Sequence, residues 1–102
     1  MSTEHFTLDL PLAEIAALCR RYHVREMALF GSALRPDFRA DSDIDLLVDF
    51  EPGARVTFIT LGQMEEAFES LLGHPVDIIP KSGLKPAVRL VVLAEAQILY
   101  AA

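Results

Sequence analysis

Residues 30–48, which read FGSALRPDFRADSDIDLLV, decide how the chain is interpreted. An apolar run ends at the pair Gly31-Ser32, and after ten intervening residues Asp43 and Asp45 open a second apolar run. Glycine lets the backbone approach a ligand closely. Exposed N–H groups and a hydroxyl at the start of a helical turn favour phosphate. The spacing therefore predicts a phosphate-binding turn beside a pair of carboxylates.

The two aspartates are predicted to lie on one strand, residues 43–50. Because side chains alternate along a strand, both carboxylates would leave the same face, about 5–7 Å apart. Like charges at this separation repel, and a divalent cation removes the repulsion. Mg²⁺ characteristically binds one or two carboxylates together with substrate phosphates. We therefore expect Asp43 and Asp45 to bind Mg²⁺ at a nucleoside triphosphate.

A third carboxylate, Asp77, is the charged residue of the short apolar segment VDII. Its neighbours Val76 and Ile78 are expected to face the core, which places Asp77 on the opposite face. If this strand pairs with residues 43–50, Asp77 joins the other two carboxylates. It could then help to hold the metal or take the proton from an attacking hydroxyl. The alternative is an ordinary aspartate on an edge strand.

The remaining candidates are weaker. Arg35 follows the turn and is a candidate for neutralising a phosphate, against a surface role. Minor candidates are Ser42 for orienting the carboxylate loop, Asp49 for the metal, and Lys81 and Lys85 for a phosphate or a partner. The three histidines lack metal-ligand spacing and are interpreted as surface or turn residues. Taken alone, an Asp-x-Asp pair is usually a solvated strand edge and a Gly-Ser pair is usually only a turn.

Composition restricts the class of protein. The 102 residues are 52% hydrophobic and 24% charged, which predicts one globular domain, residues 1–102, with an N-terminal arm at 1–10. The net charge of −6 argues against direct nucleic-acid binding, which depends on Lys and Arg contacts to phosphates. No apolar run approaches the ~18 residues of a membrane span. The N-terminus lacks signal-peptide features, so we expect a cytoplasmic protein.

Hydrophobic periodicity and turn residues predict an α/β (α+β) domain with a small mixed β-sheet and flanking helices. Cys19 is expected to be a small buried hydrophobe of the first helix. The predicted elements are a helix at 11–22, strands at 24–30 and 43–50, a helix at 57–72, a strand at 75–80, a helix at 86–95 and a strand at 97–100, with a helical turn at 33–35.

With Gly31-Ser32 and Asp43-Ile44-Asp45 at this spacing, the chain resembles the minimal nucleotidyltransferase (MNT) family, which has the polymerase-beta-like nucleotidyltransferase palm. The segment GSALR…DSDIDLLVDFEPG is similar to the short bacterial members encoded beside HEPN-domain proteins, with the MntA-type antitoxins as the best match. LLGHPVDIIP is similar to the family's third-carboxylate strand, and GLKPAVR…ILY to its tail.

The resemblance implies that Gly31 and Ser32 hold the triphosphate, that Asp43 and Asp45 bind Mg²⁺, and that Asp77 is the third carboxylate. It also implies transfer of AMP from ATP to a hydroxyl of a HEPN-domain toxin, typically a tyrosine. There are two departures from the family pattern. Proline replaces the glycine that often follows the arginine of the turn, which would stiffen the loop. The last helix, AVRLVVLAEA, is unusually apolar, from which we expect a larger buried interface.

Two other functions remain open at this stage. The same fold could mask a toxin by direct contact with little catalysis, or it could transfer a nucleotide to a small molecule. The absence of a second domain for such a small acceptor disfavours the latter. A palm of 102 residues has little material to enclose both nucleotide and acceptor, so a partner protein could complete the site; a homo-oligomer and a hetero-oligomer both remain open.

Overall fold

The computed structural model describes residues 10–31 and 42–102. The N-terminal arm and the predicted helical turn at 33–35 fall mainly or wholly outside these residues. The elements are α1 (Leu12–Arg21), β1 (Val24–Phe30), β2 (Ile44–Phe50), α2 (Phe58–Leu72), β3 (Val76–Pro80), a 3-10 turn (Lys81–Gly83), α3 (Pro86–Glu95) and β4 (Gln97–Ala101). Their order agrees with the predicted one; the 3-10 turn occupies what was predicted as a loop.

The four strands form one mixed sheet in the order β3-β2-β1-β4. β1 pairs antiparallel with β2 and with β4, whereas β2 and β3 are parallel. Parallel neighbours need a long crossover connection, which here contains α2. A small mixed sheet with flanking helices is the fold class that the sequence predicted.

The hydrophobic core lies between one face of the sheet and the helices α1 and α2. Ile15 and Cys19 of α1 and Met64 and Phe68 of α2 are fully or almost fully buried there. Burial raises the pKa of the Cys19 thiol to about 12, so this thiol is un-ionised at neutral pH and is a poor nucleophile. The prediction that Cys19 is a buried hydrophobe is therefore confirmed.

The ends of α2 follow from local chemistry. Thr57 caps its start, because the Thr57 hydroxyl accepts a hydrogen bond from the Thr60 N–H at 3.2 Å. Gly73 ends it in the left-handed conformation, with φ of 73°, and its N–H donates to the Glu69 carbonyl at 2.9 Å. Across residues 10–31 and 42–102, no helix is both long and apolar enough to cross a bilayer.

The opposite face of the sheet carries acidic side chains. Along β2, Ile44, Leu46 and Val48 belong to the core cluster, so the alternating residues Asp45 and Asp49 lie on the other side. We call this other side the carboxylate face. It also carries Glu26 of β1, whose register partner is Asp49, and Asp77 of β3, whose register partner is Asp45.

Candidate nucleotide and metal site

Asp45 and Asp77 meet across the parallel strands β2 and β3. They are direct register partners on the carboxylate face. On either side of Asp77 the residues Val76 and Ile78 are buried, whereas Asp77 itself is exposed. The strand pairing on which the prediction for Asp77 depended is therefore present, although its chemical role stays a prediction.

Asp43 lies beside this pair but outside the sheet. The sequence predicted a strand from residue 43, whereas β2 begins at Ile44, one residue later. The strand starts there because the Ile44 N–H donates to the Pro75 carbonyl at 2.8 Å. Asp43 is exposed, yet its charge acts on Asp45.

The pKa of Asp45 reports on how closely the acidic groups cluster. Partial burial raises it above its usual value, and the negative charges of Asp77 and Asp43 raise it further. Burial disfavours the ionised carboxylate, and each neighbouring carboxylate adds repulsion. The three predicted carboxylates are therefore near enough to interact.

Gly31 brings the predicted phosphate turn directly against Asp45. Its φ is +77°, a region that residues with a side chain rarely adopt. A Cβ built on Gly31 would overlap the Asp45 carboxylate, with the carboxyl carbon at 3.3 Å. A side chain at this position would be strained by the backbone and would have to displace the Asp45 carboxylate. The remaining predicted phosphate ligands, Ser32 and Arg35, lie outside the described residues, so their roles stay predictions.

At the far end of the carboxylate face the acidic groups have cationic partners. Arg25 donates a hydrogen bond to the Asp49 carboxylate and forms an ion pair with it. The Lys81 Nζ lies 3.8 Å from Glu26 Oε1. Asp49 and Lys81, minor candidates for metal and phosphate binding, are thus engaged with partners on the protein itself.

One contact of the site region is not signalled by the sequence. His74 was interpreted as a surface or turn residue, but its Nδ1 lies 3.2 Å from the Ser42 carbonyl oxygen, one residue before Asp43. The side chain is partly buried. No sequence pattern signals this contact, because the two residues are 32 positions apart.

The carboxylates suit magnesium by their chemistry. Within residues 10–31 and 42–102, no three His, Cys, Asp or Glu side chains are arranged together to hold a metal ion. Mg²⁺, however, needs only one or two carboxylates, because substrate phosphates and water complete its shell. The neighbouring carboxylates of Asp43, Asp45 and Asp77, with the repulsion that acts on Asp45, are chemically suited to such an ion.

Comparison with known proteins identifies the family. The family model for the nucleotidyltransferase domain matches residues 14–99. The protein adenylyltransferase MntA of Thermococcus cleftensis is 44% identical over 79 residues, which cover 76% of this chain and 77% of that protein. The chain therefore belongs to the nucleotidyltransferase domain family, and its enzyme class is that of a nucleotidyltransferase.

Solved structures agree with this family and fold. A structure assigned as a minimal nucleotidyltransferase is 41% identical, with a TM-score of 0.70 over 83% of this chain and 85% of the other. A crystal structure of a toxin–antitoxin with AMP-PNP is 22% identical, with a TM-score of 0.73 over 91% and 75%. A complex of tri-AMPylated Shewanella oneidensis HEPN toxin with MNT antitoxin is 19% identical, with a TM-score of 0.65 over 89% and 70%. The last two show likeness of fold alone. The resemblance to minimal nucleotidyltransferases is confirmed.

Proposed function

We propose that this chain is a Mg²⁺-dependent protein adenylyltransferase that acts as an antitoxin. It would transfer AMP from ATP to a hydroxyl, typically of tyrosine, on a cognate HEPN-domain RNase toxin. The observation that carries the proposal is the position of Asp45, which lies against Gly31 of the phosphate turn and pairs with Asp77 of β3. The named relatives are protein adenylyltransferases and toxin–antitoxin complexes, which supports this choice of reaction and partner.

Different residues would bind the triphosphate and the metal ion. The backbone at Gly31 and Ser32 would bind the triphosphate, with Arg35 as a further cation for it. Asp43 and Asp45 would hold Mg²⁺, with Asp77 as the third carboxylate. Bound Mg²⁺ would neutralise charge on the phosphates and on the carboxylates. Besides burial, the negative charges of Asp77 and Asp43 raise the pKa of Asp45, and this repulsion supports the division because a cation would offset it.

The reaction is a displacement at the α-phosphorus of ATP. The acceptor oxygen forms a bond to the α-phosphorus, and the bond from that phosphorus to the β-phosphate's bridging oxygen breaks. Pyrophosphate leaves with that electron pair, and AMP remains on the acceptor. We assign the acceptor's proton to the Asp77 carboxylate, because Asp77 is exposed beside Asp45 and is accessible to a group entering from solvent.

The partner would complete a site that one small domain leaves open. We treat residues 1–102 as a single nucleotidyltransferase domain, of which the family model matches 14–99. Asp43 and Asp77 are both exposed to solvent, and water weakens electrostatic stabilisation of a transition state. A HEPN-domain protein that covers these carboxylates would exclude that water and present its hydroxyl, which favours a hetero-oligomer.

Intact mass of the partner tests the proposal. A candidate HEPN-domain toxin, taken from the neighbouring gene where one is present, is incubated with this chain, ATP and Mg²⁺, and the toxin's RNase activity is measured in parallel. The wild type and the matched control Asp49→Asn are expected to add AMP and to neutralise the toxin. The double variant Asp43→Asn/Asp45→Asn is expected to do neither.

Two results would contradict the proposal. No mass increase with the wild type would exclude AMP transfer to this partner. Full neutralisation by the double variant, without added mass, would show that the chain acts by masking the toxin instead.

A further inference from the structure

We propose that His74 is a positioning residue, which fixes Asp43 by binding the backbone beside it and so ties Asp43 to the strand that carries Asp77. The inference rests on the proposed function, because it concerns the same carboxylates. His74 lies outside the motifs from which that function was inferred.

The backbone on both sides of Asp43 is bound by two consecutive residues. The His74 Nδ1 lies 3.2 Å from the Ser42 carbonyl oxygen, and the Ile44 N–H donates to the Pro75 carbonyl at 2.8 Å. A carbonyl oxygen can only accept, so the first contact is a hydrogen bond when Nδ1 carries the proton. Asp43 is therefore held between two anchoring points.

The anchoring loop is itself fixed from the other side. The left-handed conformation of Gly73 ends α2 immediately before His74. After the loop, the Val76 N–H donates to the Glu69 carboxylate at 3.1 Å, and the Ile78 N–H donates to the Glu65 carboxylate at 3.3 Å. Both glutamates belong to α2. The backbone that carries His74 is thus fixed between a helix end and a strand start, which suits this residue to act as a support.

This arrangement matters for Asp43 because that residue precedes β2 and lies outside the strand. The backbone at Ser42 and Ile44 sets the direction from which its carboxylate reaches the site. The loop that holds this backbone continues into β3, so it also sets the position of Asp77. Residues that hydrogen-bond to metal ligands without touching the metal typically contribute 10–100-fold to metal affinity or activity.

Two amide substitutions distinguish a specific hydrogen bond at Nδ1 from a general need for a polar side chain. The amide nitrogen of asparagine is attached to Cγ, as Nδ1 of histidine is, whereas that of glutamine is one carbon further out. His74→Asn is expected to keep the bond to Ser42, and His74→Gln is expected to lose it. His23→Asn, at an exposed turn histidine with φ of 61°, is the matched control.

The measurement is Mn²⁺ binding by electron paramagnetic resonance, with a non-hydrolysable ATP analogue present and thermal unfolding of each variant as a check on folding. His74→Gln is expected to raise the Mn²⁺ concentration for half-saturation about tenfold. His74→Asn and His23→Asn are expected to bind like the wild type. All variants are expected to unfold at similar temperatures, because the contact lies at the partly exposed edge of the fold.

The outcomes distinguish this inference from the function on which it rests. Wild-type affinity in His74→Gln overturns the role of His74 and leaves the proposed function standing. Equal weakening in His74→Asn and His74→Gln also overturns it, because the hydrogen bond at Nδ1 would then not be what matters. A wild type that binds no Mn²⁺ overturns the Mg²⁺-dependent function, and the inference with it.

Discussion

The two ends of the carboxylate face both carry acidic residues but differ in charge balance. At one end, Asp49 is paired with Arg25 and Glu26 with Lys81. Each acidic side chain there has a basic one within ion-pair distance. Exposed pairs of this kind contribute little to stability, but they leave no net charge to attract a metal ion.

At the other end, acidic side chains meet one another. Asp45 lies on the same strand and face as Asp49, four residues earlier, and is opposite Asp77. The charged groups that shift its pKa are the carboxylates of Asp77 and Asp43, and both raise it. β2 thus carries Asp49, whose charge is balanced by a basic side chain, at one end, and Asp45, whose charge is repelled by neighbouring carboxylates, at the other.

The difference in charge balance indicates which acidic residues are suited to a structural role and which to a chemical one. A sheet gains nothing in stability from two facing carboxylates, since like charges directly opposite are destabilising. Perturbed carboxylates of this kind are concentrated at functional sites. We therefore expect substitutions at the Asp45 end to change catalysis strongly, and substitutions at the Asp49 end to change it little.

The largest effect is expected from Asp45→Asn. Loss of this carboxylate is expected to lower the rate of AMP transfer by about 10³-fold, the upper range for removing one electrostatic group of a catalytic site. Asp49→Asn, the matched change four residues along the strand, is expected to retain most of the wild-type rate. Initial rates at saturating ATP and Mg²⁺ measure both. Similar losses in the two variants would remove the distinction between the ends.

Asp77→Asn is expected to lower the rate by about 10²-fold, the lower range for loss of a general base. Because the proton transfer is made only in the reaction, kcat should fall while the KM for ATP changes little. Steady-state kinetics across ATP concentrations measure this split. A rise in KM with unchanged kcat would show instead that Asp77 serves to bind nucleotide.

Gly31→Ala is expected to reduce transfer about tenfold, because the new methyl group must displace the Asp45 carboxylate. Gly53→Ala is the control. Gly53 also has positive φ, at 84°, but a Cβ there meets nothing within 4 Å. Both variants should lose about 1–2 kcal/mol of stability from the left-handed backbone, so any additional loss of activity in Gly31→Ala is due to Asp45. Equal activities would show that the turn and the carboxylate are not coupled.

The smallest effect concerns stability and pH. The pKa of Asp45 is raised in the folded state. The contribution of this carboxyl to stability is therefore fully present below its unfolded-state pKa of about 3.9, and it is lost as pH rises through the folded-state pKa. Asp45→Asn, which stays neutral, should therefore stabilise the protein at pH 7 and not at pH 3. The gain should be at most about 1 kcal/mol, because solvent screens these partly exposed groups. Urea unfolding at the two pH values measures it, and a larger gain at pH 3 would contradict the account.

Much of the fold could be predicted because its signals are local. Thr57 and Gly73 mark the ends of α2, and alternation along residues 44–50 separates the core face from the carboxylate face. The placement of Asp77 could also be predicted, because it required only that two apolar segments pair as strands.

The rest could not be predicted because it depends on contacts between distant residues. The bond from Ile44 to Pro75 sets the start of β2 and leaves Asp43 outside the strand. The partner of Lys81 is Glu26, and that of His74 is the backbone of Ser42. Neither pairing follows from periodicity, because each side chain reaches across the sheet or between loops.

The most direct test of the central claim is the transfer of label from ATP to the HEPN-domain partner, with ³²P at either the α or the γ position. Wild type and Asp49→Asn are expected to transfer the α label and Asp45→Asn almost none, and the γ label is expected on the partner with none of the three, because it leaves with pyrophosphate wherever transfer occurs. Equal α-labelling by Asp45→Asn and Asp49→Asn would contradict the assigned site. Labelling from the γ position would contradict AMP transfer itself.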